Sequence, residues 1–226
     1  MYKYFLPYDV FERHKKVGSY IKKNDSVVDI GGELNHLSQF CAPKKIIVAN
    51  LKSGDVIISK GKLPFKKASF DSVCSIDVIE HMPRPQRSSF IKKLMNIASK
   101  QVILSFPVGT SQHVIYEKKI QKLLENNGLN INYLNEHIRY GLPTLDDIKN
   151  LARDYDSKVI YAGDLKVSRL LINIYLFDPK IKIIRKVVYH LKKLFNLITN
   201  ELFYAILADR VYSESINRAY VIIRKK

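Results

Sequence analysis

The chain has 226 residues, 46% hydrophobic and 26% charged, a length and composition that support one sizeable core and exclude general disorder. Its 38 Lys and Arg outnumber 21 Asp and Glu, giving a formal charge of +17 that favours polyanionic surroundings such as nucleic acid, anionic lipid or phosphorylated substrates, although Lys-, Ile- and Asn-rich composition accounts for part of it. Two cysteines, Cys41 and Cys74, lie in apolar segments without CxxC spacing, which excludes a disulfide framework and a cysteine-built zinc site and points to a reducing, cytoplasmic setting.

The N-terminal stretch MYKYFLPYDVFERHKK carries no long apolar run and no small-residue cleavage site, so no secretory signal is expected. The longest apolar stretch, Leu170 to Phe177 interrupted by Asn173, is too short to span a bilayer. From Asp9 to Lys23, Val10, Val17 and Ile21 recur at roughly helical spacing, and Asn24-Asp25 breaks the pattern before the apolar run Ser26 to Ile30. That predicts helix, turn and buried strand. After Gly31-Gly32 come a helix-like stretch from Leu34 to Cys41, a strand from Lys45 to Asn50 and a shorter one from Asp55 to Ser59. Phe70 to Ile76 reads as a strand, Pro85 to Ser99 as a helix with Ile91, Leu94 and Ile97 on one face, and Gln101 to Phe106 as a strand ended by Pro107. Alternating strands and helices predict βαβ units and a parallel sheet covered on both faces.

Beyond residue 110, a helix from Val114 to Asn127 closes on Gly128, a second starts at the capping pair Thr144 and Asp147, and Lys158 to Tyr161 is another strand. Residues 165–210 read as helical throughout, with an apolar stripe of Ile184, Val187, Val188, Leu191, Leu194, Phe195, Ile198, Leu202 and Ile206. Ala219 to Ile223 is a final strand.

Asp29-Ile-Gly-Gly32 after the first strand, Asn50 ending the second, Leu63-Pro-Phe65, Ser69-Phe-Asp71 and Ile76-Asp-Val-Ile-Glu-His81 follow in an order that resembles the class I S-adenosylmethionine-dependent methyltransferases. The resemblance covers roughly residues 10–110, and the rest only by element order. It implies an α/β fold with a Rossmann-like, seven-stranded, mostly parallel sheet, helices on both faces and a helical insertion before the last strand. Residues 1–226 are then one domain, with 165–210 as an insertion or lid. It also implies S-adenosyl-L-methionine as cofactor, with Asp29 and Asp77 near the methionine amine and Asn50 facing the ribose hydroxyls. Gly31 and Gly32 let the backbone turn tightly and approach the methionine portion. Ligands of open parallel sheets bind at the carboxyl ends of strands, where strand order reverses, and Asp29, Asn50 and Asp77 fall at such ends.

Glu33 and Asn35 replace the second and third glycines of the family's D-x-G-x-G-x-G, and Asn50 stands where an acid usually chelates the ribose. Asn tolerates positive φ, whereas Glu33 adds a negative charge near a carboxylate-bearing ligand. Asn50 exchanges charge-assisted hydrogen bonds for neutral ones of roughly half the strength. These departures motivate a rival reading, a non-catalytic scaffold that keeps the fold with a weakened cofactor site.

Methyl transfer from a sulfonium is an in-line displacement in which positioning supplies much of the acceleration, and a base is needed chiefly for a hydroxyl acceptor. His137 is the preferred base, His81 a second catalytic candidate and Arg139 an anion contact. No grouping of His, Asp and Glu has metal-ligand spacing and no Ser or Cys nucleophile stands in a recognisable context, so no metal is expected. The motifs resemble the subgroup that methylates small molecules, including sugars and quinone-type lipids, which implies a small-molecule or glycan- or lipid-linked acceptor. Between Lys166 and Lys193, eight Lys or Arg accompany one acid, Asp178. That basic segment suits packing on the sheet or in a homodimer, peripheral association with anionic membrane, or contact with nucleic acid. Nucleic acid ranks last for want of Arg-aromatic interleaving, so a tRNA or rRNA methyltransferase rests on charge alone.

Overall fold

A computed structural model describes residues 2–59, 62–126, 128–129 and 131–225. Seven strands, β1 (Ser26–Ile30), β2 (Lys45–Asn50), β3 (Val56–Ile57), β4 (Phe70–Ile76), β5 (Ala98–Pro107), β6 (Ser157–Ala162) and β7 (Arg218–Arg224), form one sheet in the order β3-β2-β1-β4-β5-β7-β6. Only β7 is reversed, antiparallel to both β5 and β6. The chain runs outward from β1 through β2 and β3, then returns to β4 on the other side of β1, which opens a crevice beyond the carboxyl ends of β1 and β4.

The strands read as continuous apolar runs because both faces are covered. Consecutive residues point to opposite sides: Val28, Ile30, Val73, Val102 and Leu104 pack with Ile91 and Leu94 of α2 (Arg84–Ile97) and Ile148 of α5 (Leu145–Asp154). Val27, Cys74, Ile103, Tyr220 and Ile222 pack with Val17 of α1 (Tyr8–Gly18) on the other face. Leu94 is fully buried, so truncation to Ala is expected to cost about 2–5 kcal/mol.

Local signals account for most boundaries. The expected capping box is present, with Asp147 N–H donating to Thr144 Oγ1 at 3.2 Å and Thr144 N–H to Asp147 Oδ2 at 2.8 Å. Gly128 takes φ +71 just past α3 (Ser111–Asn126), while the expected helix end at Asn127 lies outside the described residues. Three expectations change. The first helix stops at Gly18 rather than Lys23, and Gly18 lies against Phe40 so closely that an added Cβ would be 2.8 Å from the Phe40 carbonyl oxygen. Leu34 to Cys41 yields only one 3-10 turn, Leu37–Gln39. A short helix not foreseen, α4 (Asn132–Tyr140), buries little beyond Leu134 and His137.

Residues 165–210 are not one continuous helix. α6 (Leu165–Leu176), capped by Asp164, and α7 (Lys182–Leu207) are separated by the stretch containing Pro179. Lys192 Nζ donates to the carbonyls of Tyr175 and Phe177, each at 2.8 Å, and ties the corner. α7 meets the body through Phe195, Phe203, Tyr204 and Leu207, packed with Tyr8 and Leu171. The amides of Asn196 and Asn200 donate to the carbonyls of Phe5, Tyr4 and Leu6. Most of the rest of the expected stripe faces outward: Ile184, Val187, Leu191, Leu194, Ile198, Leu202 and Ile206 are all exposed, as is Ile183 at 78%, while Val188 is half-buried.

Candidate active site

The turn after β1 is built around Asp29, whose side chain lies on the face that also carries Val27 and Cys74. Asp29 is 0% exposed, and neither carboxylate oxygen has a hydrogen-bond partner among the described residues. Burial pushes its carboxyl up to about 7. Gly32 leaves no room for a side chain beside Asp29 as it stands: an added Cβ would sit 2.1 Å from Asp29 Oδ2. Gly31 adopts φ +85, with Val78 Cγ2 2.4 Å from where a Cβ would stand. Asn35 takes φ +64, the positive φ anticipated for a glycine substitute, and Glu33 pairs with His36 at 3.3 Å. Asn50, at the end of β2, holds this turn with its side-chain amide, donating to the carbonyls of Gly31 at 3.1 Å and Gly32 at 2.7 Å.

Asp77, just past β4 at φ +53, stands at the centre of an ionic network joining three elements. Arg13 of α1 donates to its Oδ2 at 2.6 Å, and Arg218 of β7 grips both oxygens, with Nη2 to Oδ2 at 3.3 Å. Arg218 also donates to Ser105 Oγ at 3.0 Å and lies 3.8 Å from Glu12, which accepts from Tyr220 at 2.5 Å. Burial alone would raise the Asp77 carboxyl, but the Arg218 and Arg13 guanidiniums hold it well below the usual carboxylate range. The two acids assigned to the methionine amine thus differ in state: Asp29 is unpaired and Asp77 is neutralised. Sequence reading missed Arg13 and Arg218, which lie 64 and 141 positions from Asp77.

The two histidines singled out from sequence are neighbours. His81 ends the 3-10 turn Ile79–His81 after β4, His137 lies on α4, and their ring centroids are 4.7 Å apart. Arg87 holds the two segments together by donating to the Met82 carbonyl at 3.2 Å and to the carbonyls of Tyr140 and Gly141 at the end of α4. Each Nδ1 meets a carboxylate at 2.8 Å, His81 that of Glu136 and His137 that of Glu117. Between them lies Glu80, fully buried, with neither oxygen bonded by another described residue; burial pushes its carboxyl well above the ordinary range. His137 is likewise buried, and its Nε2 has no hydrogen-bond partner there. Arg139, expected to contact an anion, lies over the Tyr140 ring at 5.4 Å.

The sequence matches no protein-family model and no curated protein. Its fold has many solved counterparts. A SAM-dependent methyltransferase from Thermotoga maritima aligns with TM-score 0.56 and 15% identity over 99% of this chain and 93% of that one. Another, from Archaeoglobus fulgidus, gives 0.53 and 12% over 96% and 94%. Phosphoethanolamine N-methyltransferase 2 of Haemonchus contortus, solved with S-adenosyl-L-methionine, gives 0.53 and 15% over 93% of this chain, which spans 50% of that enzyme's length. The strand order, the single reversed strand and these alignments show that the chain has the class I SAM-dependent methyltransferase fold.

Proposed function

We propose that the protein transfers a methyl group from S-adenosyl-L-methionine to an amphiphilic or lipid-linked acceptor at an anionic membrane surface. The observation that carries the donor half is Asp29, a fully buried carboxylate without a partner beside a turn that only glycine fits. A buried carboxylate in that state calls for a cation with N–H donors, and the cofactor's amino-acid ammonium is such a group. Its carboxylate finds Arg13, whose guanidinium is partly exposed beside the same crevice and suits bidentate pairing. Asp77 then orders the arginines rather than receiving the amine. Because Asp29 is shielded from solvent, the turn from Gly31 to His36 must yield to admit a ligand. When bound, the cofactor supplies an electrophilic methyl on a sulfonium, and the protein's task is to hold an acceptor in line with it.

The acceptor half rests on α7. Its outward ridge from Ile183 to Ile206 carries exposed apolar side chains over 24 residues, about 35 Å of helix at 1.5 Å per residue, and Lys182, Arg185 and Lys186 are exposed at its N-terminal end, Arg185 paired with Asp178 at 3.1 Å. A surface-lying helix needs that combination, an apolar face to enter the lipid and cations to meet phosphates. No helix among the described residues is long and apolar enough to cross a membrane.

S-adenosylhomocysteine is expected to raise the melting temperature by mass action; no binding at about 1 mM, near 4 kcal/mol, overturns the donor assignment in favour of a scaffold. Vesicles containing anionic lipid are expected to co-sediment the protein at low salt, neutral vesicles much less, with the Lys182→Glu, Lys186→Glu variant weakened. A stable dimer that buries the ridge, or structured RNA outcompeting lipid at physiological salt, overturns the membrane assignment.

A further inference from the structure

We propose that Glu80, His81 and His137 form a binding site for a divalent transition-metal ion. One ligand atom from each lies within 4.8 Å of the others, and they combine two imidazoles with one carboxylate, a donor set suited to zinc and its first-row neighbours. Two independent observations point into this space. Glu80 is completely buried and neither oxygen is bonded by another described residue, and the buried Nε2 of His137 has no partner among the described residues. A buried carboxylate and an imidazole lone pair left without donors are costly, and a cation between them satisfies both.

The surroundings are those of ligand imidazoles. A metal-binding histidine usually gives its other ring N–H to a carboxylate, which fixes the tautomer and raises ligand basicity. Glu117 of α3 holds His137 Nδ1 in this way and Glu136 holds His81 Nδ1, each at 2.8 Å. Nε2 of each ring is then the lone-pair nitrogen. Metal–ligand bonds of 2.0–2.2 Å set tetrahedral donor atoms about 3.4 Å apart, so the three side chains close by about 1.5 Å through side-chain torsions. Arg87, bonded both to Met82 beyond the 79–81 turn and to the end of α4, keeps the two segments from separating.

Three protein ligands leave open positions, and these would take an oxygen donor. Resting on the methyl-transfer reading, a hydroxyl oxygen is the acceptor atom that such an open position would take. A cation held by Glu80, His81 and His137 would lower the pKa of such a hydroxyl, so that its proton could pass to solvent as the oxygen takes the methyl and the sulfonium sulfur keeps the C–S pair. His81 and His137 act as ligands in this scheme rather than as bases.

The test uses the full chain stripped by a chelator and titrated with Co2+ and Zn2+. The expected result is one ion per chain, with visible Co2+ absorption displaced by Zn2+. His137→Asn and Glu80→Gln are expected to weaken binding at least 10-fold, and Glu136→Gln, at a partly exposed position, about 10–100-fold. His190→Asn, an exposed residue on α7, is expected to leave binding unchanged. No stoichiometric ion, or affinity unaltered in Glu136→Gln and in whichever ligand variants fold, overturns the site. S-adenosylhomocysteine binding on the same preparation separates the two readings: its loss with Co2+ binding intact refutes the donor site alone.

Discussion

Replacing Asp29 by Asn removes a buried charge without changing shape, and its consequence follows from the raised carboxyl. An aspartate whose ordinary value is 3.8 is pushed to about 7 by burial in the folded chain. The folded state then holds its proton more tightly than the unfolded state, so the associated stability is complete below about pH 4 and is lost as the pH rises through 7. At 1.36 kcal/mol per pH unit between the two values, wild type bears a penalty of about 2 kcal/mol at pH 5 and about 4 kcal/mol at pH 8. Asn carries none of this pH dependence. Its two N–H donors add a desolvation cost of about 1–3 kcal/mol that is the same at both values, and it cancels when the pH values are compared. Urea denaturation of cofactor-free wild type and Asp29→Asn at pH 5 and pH 8 should therefore show the variant gaining about 2 kcal/mol or more relative to wild type between them. A difference unchanged with pH would refute the claim that Asp29 is an unpaired buried acid.

Gly32→Ala drives a methyl group to within 2.1 Å of Asp29 Oδ2, so S-adenosylhomocysteine affinity should fall more than 10-fold while the fold loses about 1–3 kcal/mol; retained affinity by calorimetry would contradict the cradle. Asn50→Asp replaces the donor to Gly31 and Gly32 with an oxygen facing their carbonyls, and should cost about 1–3 kcal/mol in urea and loosen binding; tighter binding would mean that the residue faces the ribose instead. Asp77→Asn leaves the Arg218 guanidinium, 11% exposed, with Glu12 alone as an acid partner. It should destabilise the fold by about 3 kcal/mol, and a loss within experimental error would show that the arginines are not held by this charge.

The strands and the turn after β1 were legible because their determinants are local. Apolar runs mark buried strands, and Asp29 with Gly31 and Gly32 is a contiguous motif whose chemistry needs little context. Asp77 was read at the right place and in the wrong surroundings, since the guanidiniums that neutralise it arrive from α1 and β7 and nothing near Asp77 announces them. Asn50 was read against a ribose, and its amide also meets two carbonyls that only the folded turn brings into reach. Glu80 and His81 are adjacent while His137 comes from α4, so no ligand spacing exists to be seen, and the nine residues of α4 are too few for a period to mark a helix. The stripe on α7 was visible as a period but not as a surface. Helical spacing tells which residues share a face and not what covers that face, and among them Phe195 turned inward while Ile184, Leu191 and Ile198 remained exposed.

The donor site is tested most directly by titrating S-adenosylhomocysteine calorimetrically in buffers of different ionisation enthalpy. If its ammonium seats against Asp29, binding ionises a carboxyl that burial had raised to about 7, so proton release per ligand should be larger at pH 6 than at pH 8, with none from this group in Asp29→Asn. Binding without proton release at pH 6, or the same release from Asp29→Asn, would contradict the assignment of Asp29 to the cofactor amine.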